Sequence, residues 1–214
     1  MGDHASERLS ALILAGGPSR RMGRDKAWLT LDGTPLVEYV AHRILPLADE
    51  LIISSNSPER LDLFLASLSV PARAVVDQAP SQGPLSGISA GLQAARHDLV
   101  LVLAVDMPFV QLGLLRYMAS LAGAYQAVVP QVPDPLSGKL RPEPLHAFYR
   151  RSCLAPISKR LERQSRRVIS FLPDVRTRWV LPDEISQFDP TFSSFRNLNT
   201  PTDWDSAFHH PSRP

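Results

Sequence analysis

The chain has 214 residues, 44% of them hydrophobic and 21% charged, and a formal net charge of +2. That is ordinary globular composition with enough length for a full core. A balance so close to neutral supplies no global field for nucleic acid, and no apolar run approaches the length of a membrane span.

The first ten residues, MGDHASERLS, are polar and lack the apolar core of a secretory signal. MGDHAS also fits the loose pattern for N-myristoylation, but a short pattern is a weaker reading than a disordered tail. A cytoplasmic protein is expected. ALILA (11–15) reads as a buried strand ending at Gly16-Gly17. Thr34 and Pro35 read as the cap and first residue of a helix carrying Leu36, Val37, Val40, Ile44 and Leu45 at helical spacing. ELIISSN (50–56) is the next strand, residues 58–68 a helix, and RAVVD (73–77) a strand ending at an aspartate. QAPSQGPLSG (78–87) is a loop and residues 85–95 a helix of small residues. DLVLVLAVDMP (98–108) is the strongest strand, its Leu and Val run suited to burial on both faces. A helix near 110–122 and a strand near 126–130 follow. Beyond them come a turn-rich loop at 132–144, a short strand at 145–150 and a basic helix at 150–164. The last block, FRNLNTPTDW (195–204), reads as a short strand and a capped helix start.

Strands alternating with helices predict an α/β fold, with a mostly parallel central sheet and helices on both faces. In such sheets, ligands bind beyond the carboxyl ends of the strands. Gly16-Gly17, Asn56, Asp77 and Asp106 each sit just past a predicted strand, so parallel strands bring all of them to one rim.

The opening stretch, LILAGGPSRRMGRDK, is neither a Walker A loop nor a G-x-G-x-x-G fingerprint. Its glycines allow close backbone approach to phosphate oxygens, and Arg20, Arg21, Arg24 and Lys26 can neutralise a polyphosphate. A plain solvated basic loop is the competing reading. Asp106 ends an all-apolar strand, where an ionised carboxylate must be paired or hold a cation; Mg²⁺ suits a carboxylate facing phosphates. A helix cap is the alternative for Asp106 and equally for Asp77. Asn56 offers a donor and an acceptor to a base or ribose, or caps the helix that follows it.

Other features point to less. Arg150, Arg151, Lys159, Arg160, Arg163, Arg166 and Arg167 read as a solvated helix face; without interleaved aromatics, a nucleic-acid surface is the weaker reading. The lone Cys153 cannot form an intrachain disulfide and reads as a packing residue. The six histidines form no zinc-binding pair, and no nucleophile elbow occurs.

LILAGGPSRRMGRDK resembles the L-A-G-G-x-x-x-R-M-G-x-D-K signature that opens the molybdenum cofactor guanylyltransferases. The likeness continues through TLDGTPLVEYV, VVDQ, QGPLSG, VLAVDMPF, EPLHAFYR and FRNLNTPTDW, in order and over nearly the whole chain. The opening signature is shared with cytidylyltransferases and sugar-phosphate nucleotidyltransferases; the later blocks favour the molybdenum branch. The resemblance implies a Rossmann-like nucleotidyltransferase fold that joins GMP from GTP to the terminal phosphate of molybdenum-molybdopterin and releases pyrophosphate. It places Leu14, Ala15, Gly16 and Gly17 on the nucleotide, Lys26 on its phosphates, Asn56 and Asp77 on the nucleoside, and Asp106 on both nucleotide and Mg²⁺. Asn199 is placed with the acceptor. Arg21, Lys26 and Asp106 are the expected catalytic set. The expected layout is a flexible tail at 1–9, one domain over 10–209 and a tail at 210–214. Residues 10–110 form the nucleotide-binding half and 111–209 the acceptor half. Molybdoenzymes or cofactor chaperones are the expected protein partners, with neither nucleic acid nor membrane. Alternatives are a cytidylyltransferase for the same cofactor, a sugar-phosphate nucleotidyltransferase, and a non-catalytic nucleotide-binding partner of a molybdoenzyme.

Overall fold

The structure, a computed structural model, describes residues 7–16, 29–31, 33–56, 58–77, 83–134, 137–165, 167–199 and 202–204. Most of the two expected tails, the 17–28 stretch and loop residues 78–82 lie outside the described residues.

In chain order the elements are β1 (Leu9–Leu14), the short strands β2 (Thr30–Leu31) and β3 (Thr34–Pro35), α1 (Leu36–Ile44), β4 (Glu50–Ser55), α2 (Pro58–Ser67) and β5 (Arg73–Val76). Then come α3 (Pro84–Ala94), β6 (Leu99–Ala104), α4 (Leu112–Ser120), β7 (Ala127–Pro133), β8 (Leu140–Pro142) and β9 (His146–Arg150). The chain continues through α5 (Leu154–Glu162), a 3₁₀ segment (Val168–Asp174), β10 (Thr177–Val180), α6 (Pro182–Ile185) and a 3₁₀ turn (Ser193–Phe195).

The main sheet runs β10-β7-β9-β6-β1-β4-β5, with β8 added to β7. β5, β4, β1 and β6 are mutually parallel. β9 is antiparallel to both β6 and β7, and β10 is parallel to β7. The parallel half follows from composition. All six residues of β1, and all six of β6, are buried, as expected of strands covered on both faces. The two-residue period then divides them between two cores. Ala11 and Ile13 pack with Leu36, Val40, Phe64 and Leu114 of α1, α2 and α4. Leu12 and Leu14 pack with Leu85, Ile88 and Leu92 of α3 and with Ile157 of α5. Helices therefore cover both faces of a mixed, mostly parallel sheet, which is the expected Rossmann-like arrangement. Cys153 is wholly buried in the second core, and burial pushes its thiol up to about 12; it is an inert packing residue.

Several boundaries differ from the expectation. Thr34 and Pro35 pair antiparallel with Thr30 and Leu31, so Pro35 is the cap of α1 rather than its first turn. A proline's fixed φ suits both places. β8 lies inside the expected 132–144 loop, and β10 and α6 carry no strong periodicity of their own. The expected basic helix begins only after Arg150, which ends β9 and is held by Glu7 and Asp98 at 2.6 Å each. Residues 196–199 belong to no strand of the sheet. No helix among the described residues is long and apolar enough to cross a membrane.

Candidate active site

Register aligns the rim. Leu14 stands opposite Ser54 of β4 and Ala104 of β6, and Ser55 stands opposite Val76 of β5. Counting on by one or two residues puts Gly16, Asn56, Asp77 and Asp106 in one row across four parallel strands. Hydrogen bonds beyond the strand ends hold that row. Ala15 N–H donates to Ser54 O at 2.8 Å, Asp77 N–H to Ser55 O at 2.9 Å, and Val105 N–H to Leu14 O at 3.1 Å. Gly16 presses on Asn56: a Cβ on Gly16 would stand 3.3 Å from the Asn56 nitrogen and 3.8 Å from its Oδ1. Leu14 and Ala15 are buried beneath the row, and Asn56, Asp77 and Asp106 are half-buried at its mouth.

The structure also bears on the helix-cap alternatives. α4 begins at Leu112 with Gln111 as its cap, so Asp106 does not cap it. α3 begins at Pro84 with Gly83 as its cap, so Asp77 does not cap it either. Asp77 instead meets Ser86 in the first turn of α3. The Ser86 Oγ lies 2.8 Å from Asp77 Oδ2 and 2.8 Å from Gly83 O. This turn brings the positive end of the α3 dipole to the rim.

The second wall is built from the other half of the chain. β9 runs antiparallel to β6, so it starts at the rim, with His146 opposite Leu103. Ala104 N–H donates to Leu145 O at 2.9 Å. Just before β9, the buried carboxylate of Glu143 is paired with Arg141. The terminal segment then passes beside Asp106, where Leu198 N–H donates to Asp106 O at 2.9 Å. Asn199 follows directly, its own N–H on Asp203 Oδ2 at 2.9 Å. Residues almost a hundred positions apart thus share one mouth.

Leu14, Ala15, Gly16, Asn56, Asp77, Asp106 and Asn199 are brought together in this way. Gly17, Arg21 and Lys26 lie outside the described residues. Among the described residues no three His, Cys, Asp or Glu side chains gather as a metal cage. Asp106 offers a Mg²⁺ one hard oxygen, a shell that substrate phosphates and water can complete. Sequence reasoning singled out neither Ser86 nor Asp189, a carboxylate only 2% exposed behind the terminal segment. Ser86 stands in the quoted QGPLSG loop, where a hydroxyl two residues into a helix gives a faint signal. Asp189 gives none.

Residues 11–176 match the family model described as MobA-like NTP transferase domain. A molybdenum cofactor guanylyltransferase from Syntrophotalea carbinolica is 34% identical over 213 residues, covering 95% of this chain and 96% of the relative. Among solved structures, the molybdopterin-guanine dinucleotide biosynthesis protein A from Archaeoglobus fulgidus superposes with a TM-score of 0.78 at 25% identity, over 92% of this chain and 96% of that one. The fold likeness reaches further, to the 4-diphosphocytidyl-2C-methyl-D-erythritol synthase from Anaerococcus prevotii, with a TM-score of 0.71 at 15% identity over 97% of this chain and all of that one.

Proposed function

From the premise that this chain belongs to the MobA-like NTP transferase domain family, we propose that it transfers GMP from GTP to the terminal phosphate of molybdenum-molybdopterin. Pyrophosphate leaves and the guanine dinucleotide form of the cofactor is made. The observation that carries the reading is the row of Gly16, Asn56, Asp77 and Asp106 on one rim, with the Leu198–Asn199 segment beside Asp106.

A terminal phosphate oxygen of the acceptor attacks the α-phosphorus of GTP in line; the new P–O bond forms as the bond to the β-phosphate bridge breaks. The protein contributes position and charge rather than a covalent intermediate. The backbone at Leu14, Ala15, Gly16 and Gly17 lies against the nucleotide, Gly16 because it brings no side chain between substrate and strand. Asn56 and Asp77 hold the nucleoside, and Ser86 fixes the Asp77 carboxylate. Arg21 and Lys26 meet the charge that gathers on departing pyrophosphate. Asn199 holds the acceptor. Asp106 would hold Mg²⁺, which when bound supplies Lewis-acid polarisation of the phosphates. In this reading residues 10–110 form the nucleotide half and 111–209 the acceptor half of one cytoplasmic enzyme. Its product passes to molybdoenzymes or their chaperones.

The test is pyrophosphate release from purified protein with Mg²⁺ and molybdopterin-loaded acceptor, comparing GTP, CTP and ATP. Release with GTP alone is expected. Release with CTP alone would move the chain to cytidylyl transfer with the same rim. No release, with an acceptor proven on another enzyme, would overturn the proposal.

A further inference from the structure

We infer that Asp189 is a positioning residue for the acceptor side of the site, fixing where the Leu198–Asn199 segment stands relative to Asp106; the assignment of that side to the acceptor rests on the function proposed above. Asp189 lies far from the rim row in sequence and touches none of it. Its carboxylate, 2% exposed, takes four hydrogen bonds from the turn just before the terminal segment, the longest from Thr191 Oγ1 to Oδ1 at 3.5 Å. Oδ1 accepts from Ser193 N–H and from Ser193 Oγ, each at 2.9 Å. Oδ2 accepts from Ser194 N–H at 2.8 Å. Both oxygens are thus used as acceptors, which ties Asp189 to the backbone and the side chains of the turn together.

A second observation is the backbone that this clamp spans. Phe192 adopts a left-handed conformation, φ 55° and ψ 30°. A bulky residue persists there only when its surroundings over-determine it, and such residues gather where a chain must be aimed. Asp189 bridges Phe192 from both sides: its own carbonyl accepts Phe192 N–H at 3.1 Å while its side chain holds Ser193 and Ser194.

A third observation ties the clamp to the metal-side loop. Gln111 N–H donates to Ser194 Oγ at 3.2 Å, and Gln111 Nε2 to Ser193 Oγ at 3.3 Å. Gln111 closes the loop that begins at Asp106, and Leu198 N–H closes the same circuit on the Asp106 carbonyl. The loop after β6 and the terminal segment are thus joined at both ends, and the serines forming one joint are the serines Asp189 orients. Among the described residues, no hydrogen bond runs from the Asp189 side chain to β1, β4 or β5. Loosening it therefore shifts the acceptor side alone.

The test uses the full chain carrying Asp189→Asn. The amide has one acceptor oxygen, so at least one clamp donor loses its partner. Two readouts are taken: amide hydrogen exchange, and steady-state kinetics with GTP and molybdopterin acceptor varied separately. The expected result is faster exchange at the Ser194 and Leu198 amides by roughly 10-fold, the scale of one charge-assisted hydrogen bond, with β1, β4 and β5 unchanged. The acceptor KM rises by a similar factor and the GTP KM stays at its wild-type value. A purely structural role would lower the active fraction and hence kcat, leaving both KM values alone; that result, or unchanged exchange at Ser194 and Leu198, overturns the inference. A wild-type protein inactive on this acceptor overturns the proposed function and the acceptor assignment, and the exchange measurement then decides the positioning separately. If Asp189→Asn does not fold, Ser193→Ala, which removes the Ser193 Oγ donor, is read against the same outcomes.

Discussion

Asp106 combines two constraints that rarely coincide. It follows a strand with no polar residue, yet it does not cap the helix that comes next and stays half-exposed. In the function proposed above, that carboxylate meets the Mg²⁺ and phosphates that arrive with the nucleotide. Asp106→Ala is expected to abolish Mg²⁺-dependent pyrophosphate release and to leave the thermal transition close to wild type, because the residue stands half-exposed at the rim rather than in either core. Turnover that survives across a Mg²⁺ titration would remove the residue from metal binding. Lys26 belongs to the same scale. In the signature it is the last of four cations within seven positions, and Lys26→Ala should lower turnover by ~10²–10³, the usual loss of one preorganised donor. Steady-state rates on pure, folded variant decide it; near-normal rates would take Lys26 out of the chemistry.

At the scale of elements, the rim is only as exact as the packing beneath it. α3 crosses β1 so closely that a Cβ on Gly91 would stand 2.2 Å from Leu12 Cδ2. Gly87, one turn nearer the site, would press Leu14 and the Ser54 hydroxyl at 3.2 Å. The small residues of this helix are thus what let its first turn, with Ser86, reach Asp77. Gly91→Ala must push the helix off the strand or distort Leu12, at about 1–3 kcal/mol for overpacking; Gly123→Ala, with nothing within 4 Å of the new carbon, is the control. Thermal melts of the two should differ by several degrees, and equal melts would mean that α3 shifts without cost. This contact also explains what could be read in advance. The four rim residues were legible because Gly16, Asp77 and Asp106 directly follow an apolar run and Asn56 follows one after two serines, and a run and its terminus are local signals. The tightness of α3 on β1 was legible only as a helix of small residues. The direction of β9, the existence of β10 and the clamp at Asp189 were not, because each is fixed by partners distant in sequence. His146 and Leu103 are paired across the sheet, and nothing in either run names the other.

For the whole molecule, the opposite ends of the sheet are secured by different chemistry, and acid should undo them in order. At the amino ends of the strands, Glu50 is buried with Ser10 Oγ at 2.7 Å, Arg73 Nη1 at 2.8 Å and Arg96 N–H at 2.9 Å. Burial alone would raise its carboxyl; the Arg96 N–H, the Ser10 hydroxyl and the two guanidinium groups together hold it below the usual range. Its folded value is depressed, so its stabilisation is present above the unfolded carboxylate range and is lost only as pH falls through the folded one. Near the rim, His146 is fully buried, both ring nitrogens without a hydrogen bond, its ring 4.9 Å from that of Phe195. Burial pushes it down to about 4, against a smaller upward pull from the Asp189 carboxylate. The unfolded chain therefore takes up a proton near the ordinary histidine value of about 6.5 while the fold does not. Stability falls from there to about pH 4, by roughly 3 kcal/mol for such a difference. His146→Leu should flatten this limb and leave the later, Glu50-dependent loss in place. The measurement is chemical denaturation of wild type and variant at intervals from about pH 7.5 to about pH 3, about one unit beyond either end of the His146 range. Parallel curves would assign the limb to other groups. Curves that separate only below about pH 6.5 would show that the rim half of this molecule, where the terminal segment packs on His146 through Phe195, is the first to yield to acid.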